Sequence, residues 1–138
     1  MQYLLDTNVC IALINSHPLS VRSRFQEAVV GGDRLAVSSI VTFELQYGVA
    51  KSLRQEANAY RIAVFLAGPV EVLPFDDGDA RAAGEVRAVL ESAGTPIGAY
   101  DVLIAGQAVN RGATVVTANA REFARVDGLA WTDWAVAI

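Results

Sequence analysis

Residues 3–14 read YLLDTNVCIALI: a short apolar run, three polar residues and a second apolar run. The first run, Tyr3 to Leu5, has the length and composition of a buried strand, and the run from Val9 to Ile14 is typical of a helix. Asp6 stands directly after the strand, where an ionised carboxylate is costly unless a cation or a hydrogen-bond donor meets it. Asp6 could equally begin the helix as its N-cap, so this segment alone leaves both roles open.

The pattern of a strand followed by helices recurs along the chain. Further strands are predicted at 34–37, 70–73, 113–116 and 129–131. Helices are predicted after Pro18, after Ser38, and over 53–66, 76–91 and 99–111, with a loop and short helix at 117–123. Short apolar strands that alternate with helices indicate a mostly parallel sheet covered on both faces. The sequence therefore predicts an α/β fold in three layers, α/β/α, with residues 1–138 as a single domain.

Composition limits the class of protein. The opening residues lack the basic start of a signal peptide, and no apolar run reaches the roughly 18 residues of a membrane span. These features predict a cytoplasmic protein that does not contact membranes. One cysteine and one histidine exclude a familiar zinc site and an internal disulfide. The net charge of −4 argues against binding nucleic acid through bulk electrostatic attraction alone.

Several acidic residues lack a cationic neighbour in the sequence. The residues three and four positions from Glu44 and Asp101 are apolar or glycine, and none is a lysine or arginine. Each acid alone could form an ion pair with a distant arginine. Together with Asp6 and with Glu122, which follows the strand at 113–116, they lie near the carboxyl ends of predicted strands, where functional groups collect. If they converge, a hard divalent cation that binds their oxygen atoms would offset the repulsion between the carboxylates.

The chemistry of this set follows from its ligand atoms. Carboxylate oxygens without histidine or cysteine favour Mg²⁺, or Mn²⁺, over zinc. Such an ion lowers the pKa of a bound water and stabilises charge on a phosphate under attack, so the residues predict metal-assisted phosphodiester hydrolysis. Candidate supporting or substrate-contacting residues nearby, each also explained as an ordinary cap, turn or surface residue, are Thr7, Asn8, Ser39, Thr117, Asn119 and Arg121.

Four segments, in order and spacing, resemble a PIN-domain ribonuclease of the VapC toxin type. They are LLDTN at 4–8, SSIVTFELQYG at 38–48, PIGAYDVLIA at 96–105 and VTANAREF at 116–123. The resemblance implies an endoribonuclease dependent on Mg²⁺ or Mn²⁺ that cuts structured RNA of the translation machinery, transfer RNA or a loop of ribosomal RNA. It also implies that Asp6, Glu44 and Asp101 are catalytic acids that bind the metal. The fourth catalytic position falls on Glu122 or on Asn119.

The same resemblance implies partners. It indicates a homodimer that is neutralised by a small VapB-type antitoxin, whose C-terminal part covers the active cleft. The N-terminal part of such an antitoxin binds operator DNA, so the chain itself would contact that DNA only through the antitoxin.

Three other functions remain open at this point. The first is a catalytically silent PIN-like module that binds RNA or an antitoxin. The second is a phosphoacceptor domain built on the pair Asp76–Asp77, although the late lysine that this chemistry needs is missing because Lys51 is the only lysine. The third is cleavage of DNA, since discrimination against DNA needs a contact to the 2′-hydroxyl.

Overall fold

The computed structural model describes residues 1–136, so the predicted domain over 1–138 extends two residues beyond the described part. Its strands are β1 (Gln2–Leu5), β2 (Arg34–Ser38), β3 (Glu71–Leu73), β4 (Thr114–Val116) and β5 (Ala130–Thr132). Its helices are α1 (Thr7–Asn15), α2 (Leu19–Val30), α3 (Ser39–Ala50), α4 (Gln55–Leu66), α5 (Asp77–Ser92), α6 (Ala99–Arg111) and α7 (Ala120–Phe123).

Most element boundaries agree with the sequence prediction to within a residue or two. Helix α4 begins at Gln55 rather than at Leu53, whose side chain is fully exposed, so the apolar pattern extended the predicted helix too far. Strand β5 begins at Ala130 instead of residue 129.

The strands form one sheet in the order β3-β2-β1-β4-β5, and every pairing is parallel. Leu4 of β1 is opposite Ala36 of β2 on one side and Val115 of β4 on the other. The predicted α/β fold is therefore confirmed, with a sheet that is entirely parallel among residues 1–136. The strand order reverses between β1 and β4, and a crevice at the carboxyl ends of such strands is the usual position of a functional site.

The core follows from the apolar character of the central strands. Leu4 and Leu5 of β1 and Val115 and Val116 of β4 have no solvent exposure. Strands that are apolar on both faces fit a parallel sheet covered by helices on both sides. Burial of each such side chain contributes about 1.5–3 kcal/mol, so the sheet centre is a rigid base for the residues that follow it.

Helices α5 and α6 pack with their backbones in contact. A Cβ atom at Gly106 of α6 would lie 2.3 Å from Cα of Ala83 on α5, so only glycine fits at this position. This close approach fixes the position of α6, which carries Asp101 near its start.

A buried ionic cluster joins the start of α5 to the end of α6. Asp79 has no solvent exposure, and its carboxylate accepts hydrogen bonds from Arg111 (2.9 Å), Asn110 (3.0 Å), Gln107 (3.1 Å) and the backbone N–H of Asp76 (3.0 Å). Burial alone would raise the pKa of Asp79, but the bonds from Arg111 and its other donors outweigh it and lower the pKa to about 2. The cluster therefore holds an ionised carboxylate at the helix junction.

Replacement of Asp79 tests the role of this cluster. We expect Asp79→Ala to lower the free energy of unfolding by about 3 kcal/mol, because it removes the buried carboxylate that pairs with Arg111 and accepts from Asn110 and Gln107. Urea unfolding followed by circular dichroism measures the change. The matched control is Asp77→Ala, an exposed acid in the same helical turn. Equal midpoints for the two variants would contradict a structural role for the cluster.

Candidate active site

Four acidic side chains, one at the end of β1 and three in helices, lie near one another at the carboxyl edge of the sheet. Asp6 follows β1, Glu44 lies in α3, Asp101 lies in the first turn of α6, and Glu122 lies in α7. They are the four acids that the sequence singles out as a candidate cluster. Hydrogen bonds connect Asp6 with Glu44, and Asp101 with Glu122, through the side chains described below.

Asp6 is the most firmly held of the four acids. It is 4% exposed, and Oδ1 accepts a hydrogen bond from the backbone N–H of Thr7 at 2.8 Å. Its Oδ2 accepts a second one from the hydroxyl of Thr117, which follows β4, also at 2.8 Å. The two roles left open by the sequence are therefore combined, because Asp6 caps α1 while its carboxylate lies in the site.

Thr7 connects the first two acids. Its hydroxyl donates to Oε1 of Glu44 at 2.9 Å, while its backbone N–H donates to Asp6. The start of α1 thereby holds α3 at a fixed distance from the end of β1.

Asn119 connects the other two acids. Its Nδ2 donates to Oδ2 of Asp101 at 3.1 Å and to Oε2 of Glu122 at 2.6 Å. Its backbone N–H donates to the hydroxyl of Thr117 at 2.9 Å. A continuous chain of hydrogen bonds therefore runs from Asp6 through Thr117 and Asn119 to the second pair of acids.

The electrostatics of the site reflect uncompensated negative charge. Burial, together with a hydrogen bond to Glu122 and the charges of Asp6, Glu122 and Glu44, raises the pKa of Asp101 to about 7. The hydrogen bonds from Asp101 and Asn119 lower the pKa of Glu122, so in the metal-free protein the proton of the pair lies on Asp101 and is lost as the pH rises through about 7. Burial is also the main reason that the pKa values of Asp6 and Glu44 are raised.

The donor set suits a hard divalent cation. Within residues 1–136, none of the four acids forms a salt bridge with lysine or arginine, and all of the available ligand atoms are oxygens. No three histidine, cysteine or acidic side chains of this described part are close enough to enclose an ion by themselves. Mg²⁺ commonly binds one or two carboxylates and keeps several waters, so the residues fit such an ion with water completing its ligands.

The remaining predicted residues lie in different surroundings. Asn8 is exposed at the start of α1, and its Oδ1 accepts from the backbone N–H of Ala118 at 3.4 Å. The hydroxyl of Ser39 accepts from the backbone N–H of Phe75 at 3.0 Å, which joins Ser39 to the loop before α5 and not to the four acids. Arg121 is exposed on α7, beside Glu122.

Gly98 is a site residue to which the sequence pattern assigns no role. A Cβ atom at this position would lie 3.0 Å from Oδ2 of Asp101 and 3.8 Å from Oε2 of Glu122. Because glycine has no side chain, the space between these two carboxyl groups stays open. Its place before a predicted helix is a signal for a helix cap, but it does not indicate close approach to an acid in α7.

Comparison with known proteins agrees with this fold and site. The family model of the PIN domain matches residues 3–129. A tRNA(fMet)-specific endonuclease VapC of Salmonella typhimurium is 42% identical over 97% of this chain and 98% of its own. Ribonuclease VapC2 of Rickettsia felis is 41% identical over the same shares of the two chains.

Solved structures give the same result. A chain in the crystal structure of VapBC2 from Rickettsia felis bound to a promoter DNA fragment has a TM-score of 0.91 and 40% identity, covering 97% of this chain and 99% of that one. A chain of the DNA-bound VapBC from Salmonella typhimurium has a TM-score of 0.89 and 42% identity, covering 97% and 98%. The chain thus belongs to the PIN-domain family. Within that family it belongs to the VapC ribonucleases, as the four sequence segments indicated.

The raised pKa of Asp101 makes the stability of the metal-free protein depend on pH. The folded state keeps the Asp101 proton up to about pH 7, whereas the ordinary pKa is 3.8, so the folded state binds more protons between these values. Stability is therefore lost as the pH rises through this window. In chelator we expect the thermal midpoint to fall between about pH 5 and about pH 8, and to fall less in Asp101→Asn.

The control for this measurement is Asp127→Asn, which neutralises an exposed acid outside the site and keeps the wild-type slope. Identical slopes for wild type and Asp101→Asn would show that Asp101 is not the group responsible.

Proposed function

We propose that the chain is a metal-dependent endoribonuclease toxin that cleaves transfer RNA. The observation that supports this proposal is the convergence of Asp6, Glu44, Asp101 and Glu122 without a salt bridge to any of them in the described residues. Mg²⁺ is the proposed cofactor, with Mn²⁺ as a substitute, since both prefer oxygen ligands. The relative named as specific for tRNA(fMet) makes initiator transfer RNA the first substrate to test.

The residues take separate roles in this proposal. Asp6, Glu44 and Asp101 would hold the metal ion, which lowers the pKa of water and stabilises charge on the attacked phosphate. Thr117 and the N–H of Thr7 keep the Asp6 carboxylate in one orientation. Glu122 would assist through water or metal, and the Asn119 amide keeps its carboxyl group beside that of Asp101.

The proposed partners follow from the relatives. Structures of VapBC complexes, two of them bound to DNA, contain chains of the same fold. We therefore propose a VapB-type antitoxin as the partner and contact with operator DNA only through that antitoxin. We also propose a homodimer as the toxin unit, which the resemblance to VapC toxins implies. No helix in the described part of the chain is long and apolar enough to cross a membrane. Because its proposed substrate is transfer RNA, we propose that the chain acts in the cytoplasm.

A catalytically silent PIN module that binds RNA or an antitoxin is the second candidate. It is favoured by one observation, the lack of a compact three-ligand group in residues 1–136. Metal-dependent turnover separates the two functions. The phosphoacceptor hypothesis loses its basis, because Asp76 belongs to the capping box of α5 and lies in the Asp79 cluster, away from the end of β1.

Cleavage of transfer RNA tests the proposed function. We expect the purified, antitoxin-free wild type to cut initiator transfer RNA with Mg²⁺ or Mn²⁺ and to be inactive in chelator. Asp101→Asn keeps the shape of the side chain but removes its charge, so we expect no cleavage above background. A DNA strand of the same sequence serves as the substrate control. Full cleavage by folded Asp101→Asn, or cleavage in chelator, would contradict the proposed mechanism.

Thr117 offers a matched pair of variants. Thr117→Val removes the hydroxyl that contacts both Asp6 and Asn119, and we expect about 10- to 100-fold weaker metal binding or cleavage. Thr117→Ser retains the hydroxyl and is expected to retain most of the activity. Titration of Mn²⁺ binding alongside cleavage separates metal affinity from turnover. Equal activities of the valine and serine variants would refute the role of this hydroxyl.

A further inference from the structure

Two exposed aromatic rings bridge the helices that carry the acids. Phe43 directly precedes Glu44 on α3, and Tyr100 directly precedes Asp101 on α6. Their ring centroids are 5.4 Å apart and their planes are inclined by 66°, which is an edge-to-face contact. Phe43 is 51% exposed and Tyr100 is 47% exposed, so both residues reach solvent where α3 and α6 come together.

A third ring and a cation extend this surface along α3. Tyr47 lies four residues after Phe43, on the same face of the helix, and is 60% exposed. The ammonium group of Lys51, four residues further on, lies 5.0 Å from the centroid of the Tyr47 ring. We refer to Phe43, Tyr47 and Tyr100 as the aromatic rim.

The aromatic rim does not serve the core of the fold. Aromatic residues that do so are enclosed, as Phe123 with no exposure and Trp134 with 5% exposure illustrate. Neighbouring exposed rings are costly in water unless they meet a partner. The rim therefore indicates a contact made outside this chain, next to Glu44 and Asp101.

The charge of the site favours a nucleobase as that partner. Four carboxylates and a net charge of −4 repel the phosphates of RNA, so attraction between whole molecules cannot supply the affinity. Stacking of bases on aromatic rings does not depend on the charge of the phosphates. Exposed rings with a cation beside them, as Lys51 lies beside Tyr47, are typical of surfaces that bind single-stranded nucleic acid. The two rings meet between α3 and α6, the helices that also carry Glu44 and Asp101, so a base held there would belong to the strand that reaches these acids.

We propose that Phe43 and Tyr100 stack an unpaired RNA base next to the scissile phosphate. Tyr47 and Lys51 then bind the next nucleotide, the ring contacting its base and the ammonium group its phosphate. This inference rests on the proposed function, because it takes RNA as the substrate of the four-acid site. It makes the aromatic rim a substrate-binding surface that selects single-stranded segments with exposed bases.

The test measures binding and cleavage separately. The binding probe is a fluorescent anticodon stem-loop of initiator transfer RNA, titrated into Asp101→Asn protein so that it is not cut. We expect Tyr100→Ala and Phe43→Ala to weaken binding about 10- to 100-fold, and Tyr100→Phe to restore it. Tyr60→Ala, which removes a 71% exposed tyrosine on α4, is the matched control and leaves the affinity unchanged.

Abasic probes identify the stacked base directly. Each loop base in turn is replaced by an abasic ribose, and the affinity for each probe is compared between protein that retains Tyr100 and protein that carries the Tyr100→Ala substitution. At the stacked position the loss from the missing base and the loss from Tyr100→Ala should not add, because both remove the same contact. At the other positions the two losses should add.

The outcomes separate this inference from the proposed function. Unchanged RNA affinity in both alanine variants, with cleavage by the wild type, overturns the inference and leaves the proposed function intact. If light scattering shows that the alanine variants dissociate a dimer while no abasic probe is sensitive to Tyr100, the rim is an interface between copies and the inference is overturned. Rim-dependent binding without cleavage by the wild type refutes the proposed nuclease function, and it overturns the inference as well because no phosphate beside the stacked base is cut.

Discussion

Repulsion among four converging carboxylates is the constraint on which the site depends. They come from the end of β1 and from α3, α6 and α7, and no salt bridge to lysine or arginine neutralises them in the described residues. Burial raises the pKa of Asp101 to about 7, and the hydrogen bond with Glu122 and the charges of the other three acids add to the effect of burial. A fold that brings such groups together loses stability through the arrangement, which is typical of functional sites.

The rest of the structure can be understood as the support for this arrangement. Asp79 provides the contrast, because its burial is outweighed by Arg111 and its other donors, and its pKa falls to about 2. That cluster and the backbone contact at Gly106 fix α6 against α5, and with it the position of Asp101. The backbone N–H of Thr7 and the hydroxyl of Thr117 orient Asp6 from both sides without adding any charge. The stabilising charge pairs therefore lie away from the site, and neutral donors hold the acids within it.

Local patterns in the sequence were sufficient for the fold class and for the choice of the four acids. Apolar runs that end at glycine or polar residues located the strands. Glu44 and Asp101 were identified because no lysine or arginine lies three or four residues from either of them. Local patterns could not predict the contacts between segments that are distant in the sequence. The bond from Thr117 to Asp6 spans 111 positions, and Asp79 looked like an ordinary helix cap although Arg111 reaches it from α6. Similarly, neither Phe43 nor Tyr100 is distinguishable from a core residue until the two rings are seen together at the surface.

We propose that the four acids form one binding site for a divalent cation. Anomalous diffraction from crystals grown with Mn²⁺ tests it most directly, because the signal identifies the metal independently of any activity. We expect an anomalous peak within coordination distance of the carboxylates of Asp6 and Asp101, and its loss in crystals of Asp101→Asn. A well-ordered site without such a peak at saturating Mn²⁺, or a peak bound only to other residues, would contradict it.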